Sequence, residues 1–208
     1  MPSTRLLEFI ELVISTAQAG LTFSKDSFDI ERYLTLRQTA TEILAHHENL
    51  APAEVGRWLA LDNGYPTPKL DVRAMIMDEH EHILLVREKA DARWTLPGGW
   101  CDIGRSAAEA VVREVREEAG LQVAPVRLLA LLDKHKQRHP PQMPHAYKAF
   151  FLCQVEGGAL LQSTAETSGA AYFRAAALPE LSLDRVLPGQ IQALHARVLA
   201  GHAAALFD

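Results

Sequence analysis

The stretch Pro97–Leu121, PGGWCDIGRSAAEAVVREVREEAGL, decides how the rest of the chain is read. It joins a double-glycine turn to a segment of helical period and places five acidic side chains in 25 residues. Ser106 followed three residues later by Glu109 is a capping box, and Gly120 stands where a left-handed C-cap belongs, so a helix is expected over 107–119. Ala108, Val111, Val112, Val115 and Ala119, three or four apart, form its expected buried stripe. Glu114, Glu117 and Glu118 fall on an adjacent face. Like charges at that spacing repel by roughly a few tenths of a kcal/mol per exposed pair.

Solvent alone can make that repulsion tolerable, and a solvated acidic face is the plain reading. The glycine turn supports a different one. Gly98 and Gly99 carry no side chain to block close approach of the backbone to a ligand. Carboxylates converging beside a backbone carbonyl make an oxygen-rich site for a hard divalent cation, Mg2+ foremost with Mn2+ as a substitute. A bound cation turns the repulsion into attraction.

These residues resemble the signature of the Nudix hydrolases, GX5EX7REUXEEXGU, with U a bulky apolar residue. Gly99 opens it, Arg113, Glu114 and Val115 supply REU, Glu117 and Glu118 supply EE, and Gly120 with Leu121 close it. The resemblance implies an α/β/α sandwich with a mixed sheet. It implies metal-assisted attack of water on a nucleoside diphosphate linked to a moiety X, releasing a nucleoside monophosphate and phospho-X. It makes Glu114, Glu117, Glu118 and the Gly99 carbonyl the expected metal ligands, with Glu117 and Glu118 also catalytic. Glu166, just before an expected strand, is a candidate further ligand or general base, with a solvated loop glutamate as the competing reading.

One fixed position departs: the first glutamate of the signature falls on Arg105. In the family that glutamate helps fix the loop and helix through the signature arginine, here Arg113. An arginine cannot accept a bond from Arg113. Glu109, four residues before Arg113, is the expected substitute. The alternative is a Nudix-fold nucleotide sensor whose chemistry is impaired.

Upstream, residues 5 to about 61 have a helical period. Leu6, Ile10, Val13 and Ala17 mark one helix stopped by Gly20, and Tyr33, Leu36, Ala40 and Ile43 mark a second, capped by Ser27 or Asp29. Pro52 suits the start of a third carrying Val55, Trp58 and Leu59. The proline-rich DNGYPTPKL then reads as a linker, giving an all-α domain over 1–63 and the α/β hydrolase domain over 64–208. The apolar stripes of so small a helical unit need a partner, and a homodimer through the N-terminal helices is expected.

After the linker the period alternates. Leu70–Ile76 and HILLVRE read as a pair of strands across the turn DEHE, with Asp71 and Arg73 on the face opposite the apolar set. Further strands are expected over 126–133, 146–155 and 170–174, and a helix entered near Pro188. The helical appendage, GYPTPKLDVRA, RWTLPGGW and HPPQMPHAYKAFFLC together look like a bacterial Nudix subgroup associated with CDP-choline or ADP-ribose pyrophosphatase activity.

The segment DKHKQRHPPQMPHAYK is rich in cations. His135 and His139 have the spacing of zinc ligands on a helix, yet Pro140 and Pro141 and the strand-like flanks speak against a helix there. A cationic loop facing the substrate is the favoured reading, with a solvated loop as its rival. Tyr147 and Lys148 are substrate-contact candidates, as is Arg87 at the end of ILLVR. Trp100, beside the glycine turn, is a candidate stacking wall with plain packing as the alternative.

A formal net charge of −5 gives no general attraction to nucleic acid. Cys101 and Cys153, too sparse for a disulfide scaffold, fit reduced thiols. Glu8 and Glu11 interrupt the early apolar run, which argues against a signal peptide or a membrane anchor. A cytoplasmic protein is expected.

Overall fold

The computed structural model describes residues 4–48, 55, 64–140 and 144–208. The chain divides into two compact units, Met1–Thr67 with Pro141–Met143, and Pro68–Pro140 with Pro144–Asp208. No described helix is long and apolar enough to cross a membrane.

The first unit is built on α1 (Thr4–Phe23) and α2 (Ser27–Glu48). Ile10, Ile14, Ala40, Leu44, Ala45 and Val55 bury their side chains together, and Ala17 is buried as well. Gly20 does not stop α1. A β-carbon there would lie 2.4 Å from the Tyr33 ring, so the glycine lets α2 pack tightly while α1 continues to Phe23. Nor do Ser27 or Asp29 cap α2: the Asp26 carboxylate accepts the Phe28 and Asp29 N–H groups at 3.0 and 3.1 Å. Leu36 and Ile43, expected inside, are exposed, as are Phe9, Leu12, Phe28 and Leu34. The third expected helix lies outside the described residues except Val55, which is helical and buried.

The second unit contains β1 (Lys69–Ile76), β2 (Ile83–Glu88), β3 (Trp94–Thr95), α3 (Ala107–Ala119), β4 (Leu121–Asp133), a 3-10 turn at Lys134–Lys136, β5 (Ala146–Gly158), β6 (Thr167–Phe173), α4 (Pro188–Leu199) and β7 (Leu206–Phe207). One sheet has the order β1-β5-β4-β7 and mixes parallel and antiparallel pairs. The other has the order β3-β2-β6. Val111, Val115 and Ala119 of α3 pack on one side against Val72, Ala74, Leu84 and Val86. Ile191 and Leu194 of α4 pack on the other against Met75, Leu85 and Phe150. Helices on both faces of the strand layer give the α/β/α sandwich with a mixed sheet, preceded in sequence by the small all-α unit.

β1 and β2 do not form the expected pair. β1 runs parallel to β5, β2 joins β3 and β6, and a single bridge, Met77 to Ile83, links them near the turn. The other edge of β1 is taken by the glycine turn. Val72 N–H donates to the Gly99 carbonyl at 2.8 Å, Ala74 N–H to Pro97 at 2.8 Å, and Cys101 N–H to Leu70 at 2.9 Å. Those bonds satisfy backbone groups that a strand edge would otherwise leave open, and they fix the turn against the sheet. Gly98, at φ 145°, is needed for that fit, because a β-carbon there would meet the Val72 carbonyl at 1.9 Å.

Candidate active site

α3 has the caps expected of it. Ser106 and Glu109 form the capping box, and Gly120 ends the helix at φ 78°. Its buried stripe differs: Ala110, Glu114 and Glu118 are buried with Val111, Val115 and Ala119, whereas Ala108 and Val112 are half-buried. Two of the three glutamates therefore face inward, and only Glu117 has the exposure of a solvated face.

Glu118 is turned toward the glycine turn, where its Oε2 accepts the Gly98 N–H at 2.8 Å. Its own backbone carbonyl accepts the Thr167 hydroxyl at 2.8 Å, which ties α3 to the start of β6. Burial pushes its carboxyl up to about 8; Arg73 and the Gly98 N–H oppose that rise, while Glu88 and Glu114 add to it. Glu114 lies against the next residue of the turn. Its Oε2 is 3.0 Å from where a Gly99 β-carbon would be, so the carboxylate fills the space the glycine leaves.

Arg113 binds the acids on their outer side. Its guanidinium donates to Glu114 Oε1 at 2.7 Å and to Asp102 Oδ2 at 2.5 Å, while its Nε lies 3.7 Å from Glu117 Oε2. These two hydrogen bonds, to Glu114 first and Asp102 second, hold the guanidinium firmly charged. The expected Glu109 substitute is not used: its carboxylate accepts the Ser106 N–H at 2.8 Å. Asp102, three residues before Arg105, fills the acceptor role instead. Arg105 serves through its backbone, its N–H donating to the Asp102 carbonyl at 3.2 Å.

Behind the turn lies a buried set of charges that the alternating pattern disguised. Arg73 donates to both oxygens of Asp71, at 2.8 and 2.9 Å, and to the Leu96 carbonyl at 3.1 Å. Lys148 Nζ is 3.1 Å from Asp71 Oδ2 with its side chain 2% exposed. Its burial pulls the ammonium down to about 8 despite Asp71. At the end of β2, Glu88 is buried 3.1 Å from Arg185 Nε, and burial raises its carboxyl although Arg185 and Arg73 oppose that. Glu166 is exposed, and its charge adds to the rise at Glu88.

The other expected contacts are peripheral. Trp100 is 48% and Tyr147 40% exposed; Trp100 is bridged to Asp71, and Tyr147 stands opposite Leu70 in the β1–β5 pair. Arg87 is exposed and donates to the Ala92 carbonyl at 2.8 Å. His139 sits apart from His135, with Nδ1 2.6 Å from the Leu183 carbonyl. Asp71, Arg73, Glu88 and Asp102 escaped sequence reading. For Asp102 a signal existed: an acid inside the turn, eleven residues before an arginine that lacked its usual acceptor.

A backbone turn laid along a strand edge, with buried carboxylates drawn in beneath it, gathers oxygen atoms of the kind that hard divalent cations take as ligands. Residues 67–196 match the NUDIX domain family, and residues 4–59 match the family described as the UDP-X-like, N-terminal oligomerisation domain. The chain is 45% identical to the "Putative ADP-ribose pyrophosphatase YjhB" of Bacillus subtilis (strain 168), over 92% of this chain and 91% of that protein. Among solved structures, an ADP-ribose pyrophosphatase from Streptococcus suis 89-1591 is 42% identical with a TM-score of 0.62, covering 68% of this chain and all of that one. A UDP-X diphosphatase is 34% identical with a TM-score of 0.64 and covers both chains in full. The chain belongs to the Nudix hydrolases, enzymes that act on phosphorus-containing anhydrides and use divalent metal ions.

Proposed function

We propose that the protein is a Mg2+-dependent pyrophosphohydrolase that cleaves a nucleoside diphosphate linked to X into a nucleoside monophosphate and phospho-X. The observation that carries this reading is Glu118 buried on the Gly98 N–H with Glu114 beside it against Gly99. Two inward carboxylates beside a backbone carbonyl make a pocket of oxygen donors, which favours a hard divalent cation. Glu114, Glu118 and the Gly99 carbonyl, which has a second lone pair beyond its bond to Val72, are the proposed ligands, joined by Glu117.

Bound Mg2+ would neutralise the diphosphate oxygens and make a water acidic enough to attack near neutral pH. The chain supplies the rest. The turn and α3 are locked to β1, so the carboxylates are placed before substrate arrives, and positioning of that kind contributes much of a hydrolase's rate. Glu117 and Glu166, both open to water, are the proposed acceptors of the attacking water's proton. Trp100 and Tyr147 offer exposed rings for the base or X, and Arg87 offers charge for phosphate. Lys148, spent on Asp71, contributes through the electrostatics of the wall.

ADP-ribose and UDP-linked compounds are the substrate classes that the printed activities of the similar proteins support. CDP-choline rests on the resemblance of the sequence. The sensor reading required Arg113 to lack its acceptor, and the Asp102 contact counts against it. The test is incubation with ADP-ribose, CDP-choline and a UDP-sugar, with and without Mg2+, reading nucleoside monophosphate. Metal-dependent release that vanishes in Glu118→Gln supports the enzyme. Heat stabilisation by the same compounds without turnover would overturn it in favour of a sensor.

A further inference from the structure

We propose that Asp133, His135 and His145 form a separate transition-metal site, suited to Zn2+ and independent of the α3 carboxylates. One ligand atom from each of the three residues lies within 4.8 Å of the others. His145 Nε2 is 2.9 Å from Asp133 Oδ1, and the His135 and His145 rings stack with centroids 4.3 Å apart and planes 12° from parallel.

The carboxylate is held in place by the chain around it. Asp133 caps the 3-10 turn by accepting the His135 N–H at 2.8 Å, and its own N–H donates to the Asp208 carboxylate. The Gln137 side-chain amide donates to Asp208 at 2.7 Å, bracing the same corner. On the other strand, the Tyr147 ring meets His145 edge-on at 5.5 Å, which limits how that imidazole can turn. Bracing of the ligands from outside is what metal sites require of their surroundings.

Two imidazole nitrogens and one carboxylate oxygen, with a fourth position for water, are a zinc ligand set, whereas Mg2+ prefers oxygen donors alone. With bonds of about 2.0–2.1 Å, two ligands of a tetrahedral zinc stand about 3.3 Å apart. The Asp133–His145 pair is already near that spacing, and His135 joins it by tilting its ring out of the stack. A metal takes the neutral imidazole through an unprotonated nitrogen, so binding at Nε2 places the ring hydrogen on Nδ1: a neutral His145 ring changes tautomer, and a protonated ring also releases one proton to solvent. The reading of His135 with His139 as the zinc pair fails because the chain forms only a short 3-10 turn there. The partner comes instead from the far end of the connection. Metal bound here would therefore clamp together the two ends of the cationic β4–β5 connection.

The test is a Zn2+ titration of the full chain in excess Mg2+, followed by calorimetry and by the side-chain histidine 1H–15N signals. One Zn2+ per chain is expected, with the His135 and His145 signals shifting. His135→Ala and His145→Ala should each weaken binding at least about tenfold, the lower bound for residues that merely support a ligand. The Glu114→Gln/Glu118→Gln double substitution should leave it unchanged. Should His145→Ala fail to fold, His135→Ala and the wild-type spectra decide. Zn2+ uptake indifferent to both histidine substitutions, lost only with the glutamates, or without effect on either histidine signal would overturn the site.

Discussion

Asp102 accepts a hydrogen bond from Arg113 at 2.5 Å, the bond that the residue at position 105 cannot provide. The same guanidinium holds Glu114, so Asp102 sets the position of a proposed ligand through Arg113. Asp102→Ala is expected to lower kcat by about 10- to 100-fold, the effect of a modest misplacement of reacting groups. Its effect on stability should stay below about 1 kcal/mol, since Asp102 is half-exposed. Asp102→Glu should recover part of the rate. Arg105→Glu should change it little, because Arg113 already has its acceptor; a large gain would show that the turn is poorly held after all.

Glu118 gives the metal-free protein a pH-dependent stability. Its folded carboxyl titrates near 8, above the 4.5 of an ordinary glutamate. The folded state therefore binds the proton more tightly, and stability falls as pH rises from about 4.5 through 8. Denaturant melts without divalent ions should show that loss, on the order of a few kcal/mol, and Glu118→Gln should flatten it. Adding Mg2+ should oppose the loss, because the cation favours the carboxylate. Glu118→Gln should also reduce turnover by more than about 100-fold, the scale of losing a group that acts at the transition state.

What could be read from the sequence and what could not differ in range. The α3 boundaries rest on Ser106, Glu109 and Gly120, contacts within a few residues, and these follow from spacing. The inward turn of Glu114 and Glu118 depends on a backbone turn that packs beside α3, and helical period alone cannot report it. The alternation in β1 marked Asp71 and Arg73 as one face, but solvent and a buried ion pair leave the same pattern. β1 and β2 are close in sequence yet are bridged only between Met77 and Ile83 and lie in different sheets, because the glycine turn satisfies the strand edge on which a hairpin depends. Gly20 carried a helix-stop signal, and the Tyr33 ring decided the matter instead.

The helical unit leaves Phe9 and Leu12 of α1 61% and 62% exposed, and Phe28, Leu34 and Leu36 of α2 are exposed as well. Large apolar side chains exposed on both helices favour burial against a partner, in keeping with the oligomerisation domain that this region matches. A homodimer through these helices is the expected assembly. Light scattering should return twice the chain mass of 23.0 kDa, and Leu12→Glu with Leu36→Glu should shift it toward the single-chain value. A monomeric wild-type mass at working concentration would defeat the assignment.

Asp71 is the anion that two buried cations share, Arg73 through both of its oxygens and Lys148 at 3.1 Å. Removing it strands both charges, so Asp71→Ala should cost about 3–5 kcal/mol in a denaturant melt. Lys148→Met should cost much less, because Asp71 keeps its two bonds to Arg73 while a desolvated ammonium is removed. The two variants also part in pH dependence. Lys148 titrates near 8 when folded against 10.5 for an ordinary lysine, so the unfolded state binds its proton more tightly and stability rises with pH across that window. Lys148→Met should abolish that rise. Equal losses in the two variants, with the same slope between pH 8 and 10.5 in Lys148→Met as in the wild type, would mean that the pair is held by packing and not by charge.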